Sequence, residues 1–217
     1  MLARSAHGRI YPQHEGLAMS LAIVNYGAGN LASVKKAFDA LDADPVVTSD
    51  PDVIARAQKV VVPGVGHFAA TSALEANGLK EAILDTIAQE KPLLGICLGM
   101  QWLFESSTEA PQLRGLGLLR ANCEEFPDSV KSPHVGWNEL VVLRPSPLLN
   151  GIPERPFVYF THSFRAPLIA QTVASCEYGT VFSAAVQQDR VFGVQFHPEK
   201  SGAVGRQLLE NFCELPC

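Results

Sequence analysis

The feature that most restricts the fold is a series of short, continuous apolar runs separated by helical segments. Leu21-Ala22-Ile23-Val24, Pro45-Val46-Val47, Val60-Val61-Val62 and Pro92-Leu93-Leu94-Gly95-Ile96 contain no alternating polar positions. Strands of this kind are buried on both faces, which is how a parallel sheet covered by helices reads in sequence. Between them, Leu31, Val34, Phe38 and Leu41 recur at helical spacing, with Asn30 placed to cap the first turn. Leu79, Ile83 and Ile87 share one face of a later helix that leads to Lys91. The second half changes character. Phe157-Val158-Tyr159-Phe160, Thr172-Val173-Ala174, Ala184-Ala185-Val186 and Val191-Phe192-Gly193-Val194 follow one another with short turns, and Val204, Leu208, Leu209 and Phe212 mark a final amphipathic helix.

The expected fold is α/β: a single domain over residues 19–217, with a largely parallel open sheet flanked by helices and a mixed or antiparallel C-terminal extension. Residues 1–18 lack the apolar segment of a signal peptide and are expected to be a disordered extension, or to precede a true start at Met19. At 217 residues the chain is long enough to bury a core without staples. Its 17 Lys and Arg against 22 Asp and Glu argue against a nucleic-acid binder, which needs cations to neutralise phosphates. No apolar run is long enough to span a membrane. The five cysteines, at 97, 123, 176, 213 and 217, are odd in number and include no C-x-x-C pair. That pattern suggests neither a disulfide framework nor a zinc site, and it fits a reduced, cytoplasmic protein.

Four motifs carry candidate chemistry. Gly27-Ala28-Gly29-Asn30-Leu31-Ala32 lies between a strand and a helix, and Asp50 follows near the end of the second strand. This satisfies the loose dinucleotide fingerprint, so a nucleotide-binding module is one reading and a plain tight turn is the other. Gly95-Ile96-Cys97-Leu98-Gly99 is a G-x-C-x-G elbow at a strand-to-helix junction, the thiol counterpart of the serine elbow. It sets the sulfur at a helix N-terminus, where thiolate is favoured, beside the Leu98 N–H as an oxyanion donor. Gln101 lies one helical turn on, facing whatever the sulfur attacks. His197-Pro198-Glu199 follows a buried strand, and extended geometry at i and i+2 would put imidazole and carboxylate on one side. His197 would then serve as base and Glu199 as its orienter. Pro63-Gly64-Val65-Gly66 closes the third strand, where two glycines permit an outward-turned N–H as second oxyanion donor.

Taken together, P-G-V-G at 63–66, G-I-C-L-G-M-Q at 95–101 and G-V-Q-F-H-P-E-K-S at 193–201 resemble the class I glutamine amidotransferase family. Within that family, Pro133–Asn138, Tyr159–Phe164 and Asn25–Leu31 resemble the glutaminase subunit of imidazole glycerol phosphate synthase. The resemblance implies a Cys97-His197-Glu199 triad that hydrolyses glutamine through a thioester. An oxyanion hole would be formed from Leu98 and the Val65-Gly66 peptide, which a partner could flip into place. Gly66, Gln101, Thr161, His162 and Ser163 would lie along glutamine. Trp137, Asn138, Tyr159 and Lys200 would face a (β/α)8 cyclase subunit in a heterodimer, which receives the ammonia. No metal or cofactor is implied. Three alternatives remain open on the residues: a glutaminase serving another synthase, a non-catalytic nucleotide module, and a redox-sensing cysteine protein.

Overall fold

Continuous apolar strands and intervening amphipathic helices assemble in chain order. A computed structural model describes residues 3–4, 10–11, 21–76 and 78–217. A short antiparallel pair, β1 (Ala3–Arg4) and β2 (Ile10–Tyr11), precedes the main body; the disorder expected of residues 1–18 otherwise falls outside the described residues. The first half comprises β3 (Leu21–Val24), α1 (Leu31–Asp39), β4 (Val46–Thr48), α2 (Pro51–Arg56), β5 (Lys59–Gly64), α3 (Ser72–Ala76), α4 (Leu79–Ala88), β6 (Leu93–Cys97) and α5 (Leu98–Trp102). The second comprises β7 (Phe104–Ser107), β8 (Leu119–Glu125), β9 (His134–Val142), β10 (Phe157–His162), β11 (Phe164–Arg165), β12 (Thr172–Tyr178), β13 (Thr180–Gln188), β14 (Val191–Val194) and α6 (Gly202–Glu214). No helix among the described residues is long and apolar enough to cross a membrane.

The main sheet has nine strands in the order β10-β9-β12-β13-β14-β6-β5-β3-β4. From β14 to β4 the pairings are parallel; from β14 outward to β10 they are antiparallel. The expected parallel core and antiparallel extension are both present, and β14 is the strand that joins them. A second sheet, β11-β8-β7, was not anticipated, because β8 buries only Leu119 and Cys123 among largely exposed polar residues and carries little apolar signal. Strand β9 was likewise missed as a strand, since His134, Asn138 and Glu139 interrupt its pattern.

The parallel strands divide their side chains between two cores. Leu21, Ile23, Val61, Leu94 and Ile96 face α1 and α6, where the Phe38 and Phe212 rings meet edge to face at 6.4 Å. Ala22, Val24, Val60, Val62 and Leu93 face Ile54, Leu74, Leu79 and Ile83 of α2, α3 and α4. The elbow between β6 and α5 is tightly packed. A Cβ on Gly99 would collide with the Val62 carbonyl oxygen, and one on Gly95 would come within 2.8 Å of the Gly99 carbonyl. The two glycines of G-x-C-x-G are there because strand and helix turn through each other's contact distance. Gly99→Ala should therefore lower stability by at least about 2 kcal/mol. Urea unfolding would measure it, and an unchanged midpoint would show that the elbow has room to spare.

Candidate active site

Cys97 is the last residue of β6 and the cap of α5, with φ 53° and ψ −106°, a conformation a non-glycine residue seldom adopts. The turn aims its side chain out of the sheet, and Cys97 remains only 4% exposed. α5 continues for five residues only, so the sulfur faces the free N–H groups of a single turn and not a long macrodipole.

Parallel pairing brings the second cluster alongside. Val194 is in register with Ile96, so the next residue on each strand, Gln195 and Cys97, are neighbours. The Gln195 Nε2 donates to Cys97 Sγ at 3.6 Å. Beyond it, His197 is extended, and Pro198–Lys200 then form one 3-10 turn. Here the structure corrects the expected geometry. Glu199 reaches His197 because this turn folds its carboxylate back, not because two residues of a strand project to one side. Pro198, with its fixed φ and missing N–H, suits the first position of such a turn. His197 Nδ1 lies 2.8 Å from Glu199 Oε1, with both side chains almost fully buried. The turn is clamped: His197 N–H donates to the Tyr159 carbonyl at 2.9 Å, and Ser201 Oγ–H donates to the His197 carbonyl at 2.6 Å.

His197 Nε2 makes no hydrogen bond at full geometry and is the nitrogen left for Cys97. Burial opposes a charge on this ring. Hydrogen bonding and negative charge from Cys97 and Glu199 outweigh it and hold the His197 pKa up at about 9. The imidazolium is thus the neutral-pH form.

A cavity of about 240 Å³ opens beside the sulfur, lined by Gly66, Leu98, Gln101, Glu109, Thr161 and His162 among others, including Ser163. Gln101 lines it as expected, but its amide nitrogen is already committed, donating to the Phe164 carbonyl at 2.8 Å and to Gln195 Oε1 at 3.0 Å. The Thr161 carbonyl lies 4.0 Å from the sulfur. His162 lines the cavity with its ring tied on both sides, to the Phe164 carbonyl at 2.9 Å and to His134 at 3.2 Å. Gly66 has φ 99° and open space around it, and the Val65 side chain is partly exposed.

Trp137 and Tyr159 are register partners on β9 and β10, their rings 6.2 Å apart, with Lys200 Nζ 5.6 Å from the Tyr159 ring. Asn138, expected near the partner, is half-buried, and its Nδ2 is directed to His134 Nε2 at 3.3 Å and to the Glu177 carbonyl at 3.0 Å. The dinucleotide reading loses its acid, because Asp50 caps α2 by accepting from the Asp52 N–H at 2.9 Å. Sequence reasoning missed Gln195 and Glu109. Gln195 stands in a quoted motif, and its position level with Cys97 follows only from strand register. Glu109 reaches the cavity from a loop and accepts from the Phe68 N–H at 2.6 Å, a contact no local pattern announces.

The hydrogen bonds fix the tautomers of the histidine pair. His162 Nδ1–H must donate to a carbonyl, so its Nε2 accepts from His134 Nδ1–H, and His134 Nε2 accepts from Asn138. Burial pushes His162 down to about 3, opposed by the Phe164 carbonyl, and pushes His134 down to about 4. Nitrogen-15 NMR at pH 6 should find both rings neutral with the proton on Nδ1. A charged ring, or a proton on Nε2 of His162, would overturn this arrangement.

Residues 22–215 match the family described as Glutamine amidotransferase class-I. The chain is 43% identical over 196 residues to the imidazole glycerol phosphate synthase subunit HisH of Methanothermobacter thermautotrophicus, covering 90% of this chain and 98% of that one. It is 46% identical over 198 residues to the subunit of the same name from Moorella thermoacetica, covering 90% and 94%. Its fold is similar to a solved structure of PurLQS from Thermotoga maritima, with a TM-score of 0.70 at 18% identity over 90% of this chain and 98% of that chain. With nearly its whole length matched in this way, the chain belongs to the class I glutamine amidotransferase family.

Proposed function

We propose that this chain is the glutaminase subunit of an imidazole glycerol phosphate synthase, hydrolysing glutamine to glutamate and handing the ammonia to a cyclase subunit. The observation that carries the reading is the convergence of His197 and Glu199 on Cys97, which itself lines a cavity of about 240 Å³. The relatives bearing the synthase subunit's name match 90% of this chain at 43% and 46% identity, which supports that synthase over one making another product.

In this mechanism the Cys97 sulfur attacks the carboxamide carbon of glutamine. The Leu98 N–H and one from the Val65-Gly66 segment hold the developing oxyanion, and losing either would cost about 100-fold or more in rate. His197, already protonated, gives its proton to the departing ammonia and leaves a glutamyl thioester. The neutral imidazole then takes a proton from water, whose oxygen attacks the thioester carbon; the C–S bond breaks, glutamate leaves and the imidazolium is restored. Glu109, the acid lining the cavity, supplies a counter-charge for the substrate's α-ammonium.

Ammonia released into water becomes ammonium and is no longer a nucleophile, so it must pass directly to its acceptor. An exposed apolar patch supports docking of an acceptor subunit. Val135, Trp137 and Phe157 are each more than half exposed, on one side of the β9–β10 pair at the edge of the sheet. Large exposed apolar groups in one patch mark an interaction surface. Tyr159 and Lys200 continue it to the His197 turn.

Cys97→Ala should reduce glutamine-dependent turnover by about a thousandfold or more while ammonia-dependent synthesis by the complex persists. If glutamine still drives synthesis, Cys97 is not the nucleophile. The rate should also fall as pH rises through about 9, where His197 loses the proton it must give to ammonia. Glu199→Gln removes one of the groups that raise that pKa, so the alkaline limb should move to lower pH; a limb that stays in place would separate Glu199 from the base. His197→Ala should resemble Cys97→Ala in the same assay.

A further inference from the structure

One polar group beside the sulfur is used by nothing in this mechanism. The Tyr26 ring is buried, and its hydroxyl makes no hydrogen bond. A buried hydroxyl without a partner has given up its water for nothing in return, which calls for a reason. Burial first, and then the charge on Cys97, push the Tyr26 pKa well above the usual tyrosine value, so the group is a proton donor at any working pH.

Its position supplies the reason. A Cβ placed on Gly64 would collide with the Tyr26 hydroxyl oxygen and come within 2.8 Å of Leu98 Cβ. Gly64 is also the register partner of Cys97 across β5 and β6. Tyr26 packs with Val62, Leu98 and Met100 in the core on one face of the sheet, whereas Cys97 belongs to the core on the other. The hydroxyl therefore lies against Gly64, within reach of its peptide groups. In a trans peptide the N–H and C=O point in opposite directions. When the Val65 N–H faces the sulfur, the carbonyl of the same peptide, that of Gly64, turns away from it, and the Tyr26 hydroxyl is the unpaired donor packed against that residue.

We propose that Tyr26 is a positioning residue: its hydroxyl donates to the Gly64 carbonyl when the Gly64–Val65 peptide presents the Val65 N–H as second oxyanion donor. Of the two N–H groups in the Val65-Gly66 segment, Tyr26 selects that of Val65. The unpaired hydroxyl is satisfied only in that state, so it biases the peptide toward it. Glycine at 64 keeps the space between hydroxyl and peptide clear. The inference deepens the glutaminase reading and rests on it.

The test is Tyr26→Phe, which removes one oxygen and leaves the ring in place, assayed in the complex with the cyclase subunit. Glutamine-dependent kcat should fall about tenfold, the worth of one hydrogen bond made only in the productive state. KM for glutamine, alkylation of Cys97 by iodoacetamide and ammonia-dependent synthesis should be unchanged, and the melting temperature should be equal or higher. An unchanged kcat would overturn the proposal. So would a loss of kcat matched by slower alkylation or a lower melting temperature, since that is what a purely structural hydroxyl would give. Wild-type complex that fails to release glutamate from glutamine would instead overturn the glutaminase reading itself, so the two failures are distinguishable.

Discussion

The site depends on the pairing of β14 with β6. These strands are ninety-odd residues apart in the chain, and their parallel register, Val194 against Ile96, decides what stands beside the sulfur. A slip of one residue would turn the whole strand over and send Gln195 to the opposite face. The register is enforced from several sides. All four residues of β14 are buried, and the strand is hydrogen-bonded to β13 on one side and β6 on the other. Gly193 leaves room for the Met100 and Val186 side chains, each of which would come within 2.9 Å of a Cβ there. Met100 is part of α5, so the helix that follows Cys97 also packs on the strand that leads to His197. The elbow and β14 hold each other in place.

Around that frame the environment drives neighbouring imidazoles in opposite directions. His197 sits between a sulfur and a carboxylate and is held up at about 9, whereas His134 and His162 are buried without an acid and fall to about 4 and 3. The stability consequences have opposite signs. The His197 contribution is complete below about 6.5, its ordinary value, and is lost as pH rises through about 9. The His134 and His162 contribution is complete above about 6.5 and is lost as pH falls toward 4 and 3, because the folded protein resists charging them. The positive charge of His197 itself helps keep His162 neutral. A neutral His162 keeps its tautomer and so holds the Phe164 carbonyl, which also accepts from Gln101. Gln101 in turn holds Gln195 against Cys97. The cavity wall and the sulfur therefore share one hydrogen-bonded chain.

Much of this was legible in the sequence, and for a physical reason. A strand buried on both faces needs an unbroken apolar run, so β3, β5 and β6 declare themselves locally, as do the paired glycines of the elbow. What could not be read depends on distant neighbours. Strand β9 is buried on one side by aromatic stacking on His134, at 4.1 Å from Tyr178 and 4.8 Å from Phe160, so a polar residue occupies a core position. The spacing of His197 and Glu199 pointed to the right pair, but it is a turn and not a strand that joins them. The partners of the Asn138 amide, His134 and the Glu177 carbonyl, follow only from the pairing of β9 with β12 and from the burial of His134. Gln101 was expected to be free for a ligand, and the residue that occupies it, Gln195, lies almost a hundred positions away.

The same topology explains why the exposed apolar patch and the His197 turn meet at one strand. β10 is the terminal strand of the sheet, and along it outward residues alternate with inward ones. Phe157 and Tyr159 look out, while Val158 and Phe160 are buried. An apolar sheet edge left open invites pairing with other chains, and proteins cover such edges or use them. Here the strand is tied inward at the residue that also looks out: the Tyr159 carbonyl accepts from His197, and its N–H donates to Ser201 Oγ, which clamps the same turn. A subunit that covers Trp137 and Tyr159 therefore rests on the element that fixes the imidazole. Coupling between a covered edge and the base then needs no long route, only the two backbone hydrogen bonds of one residue.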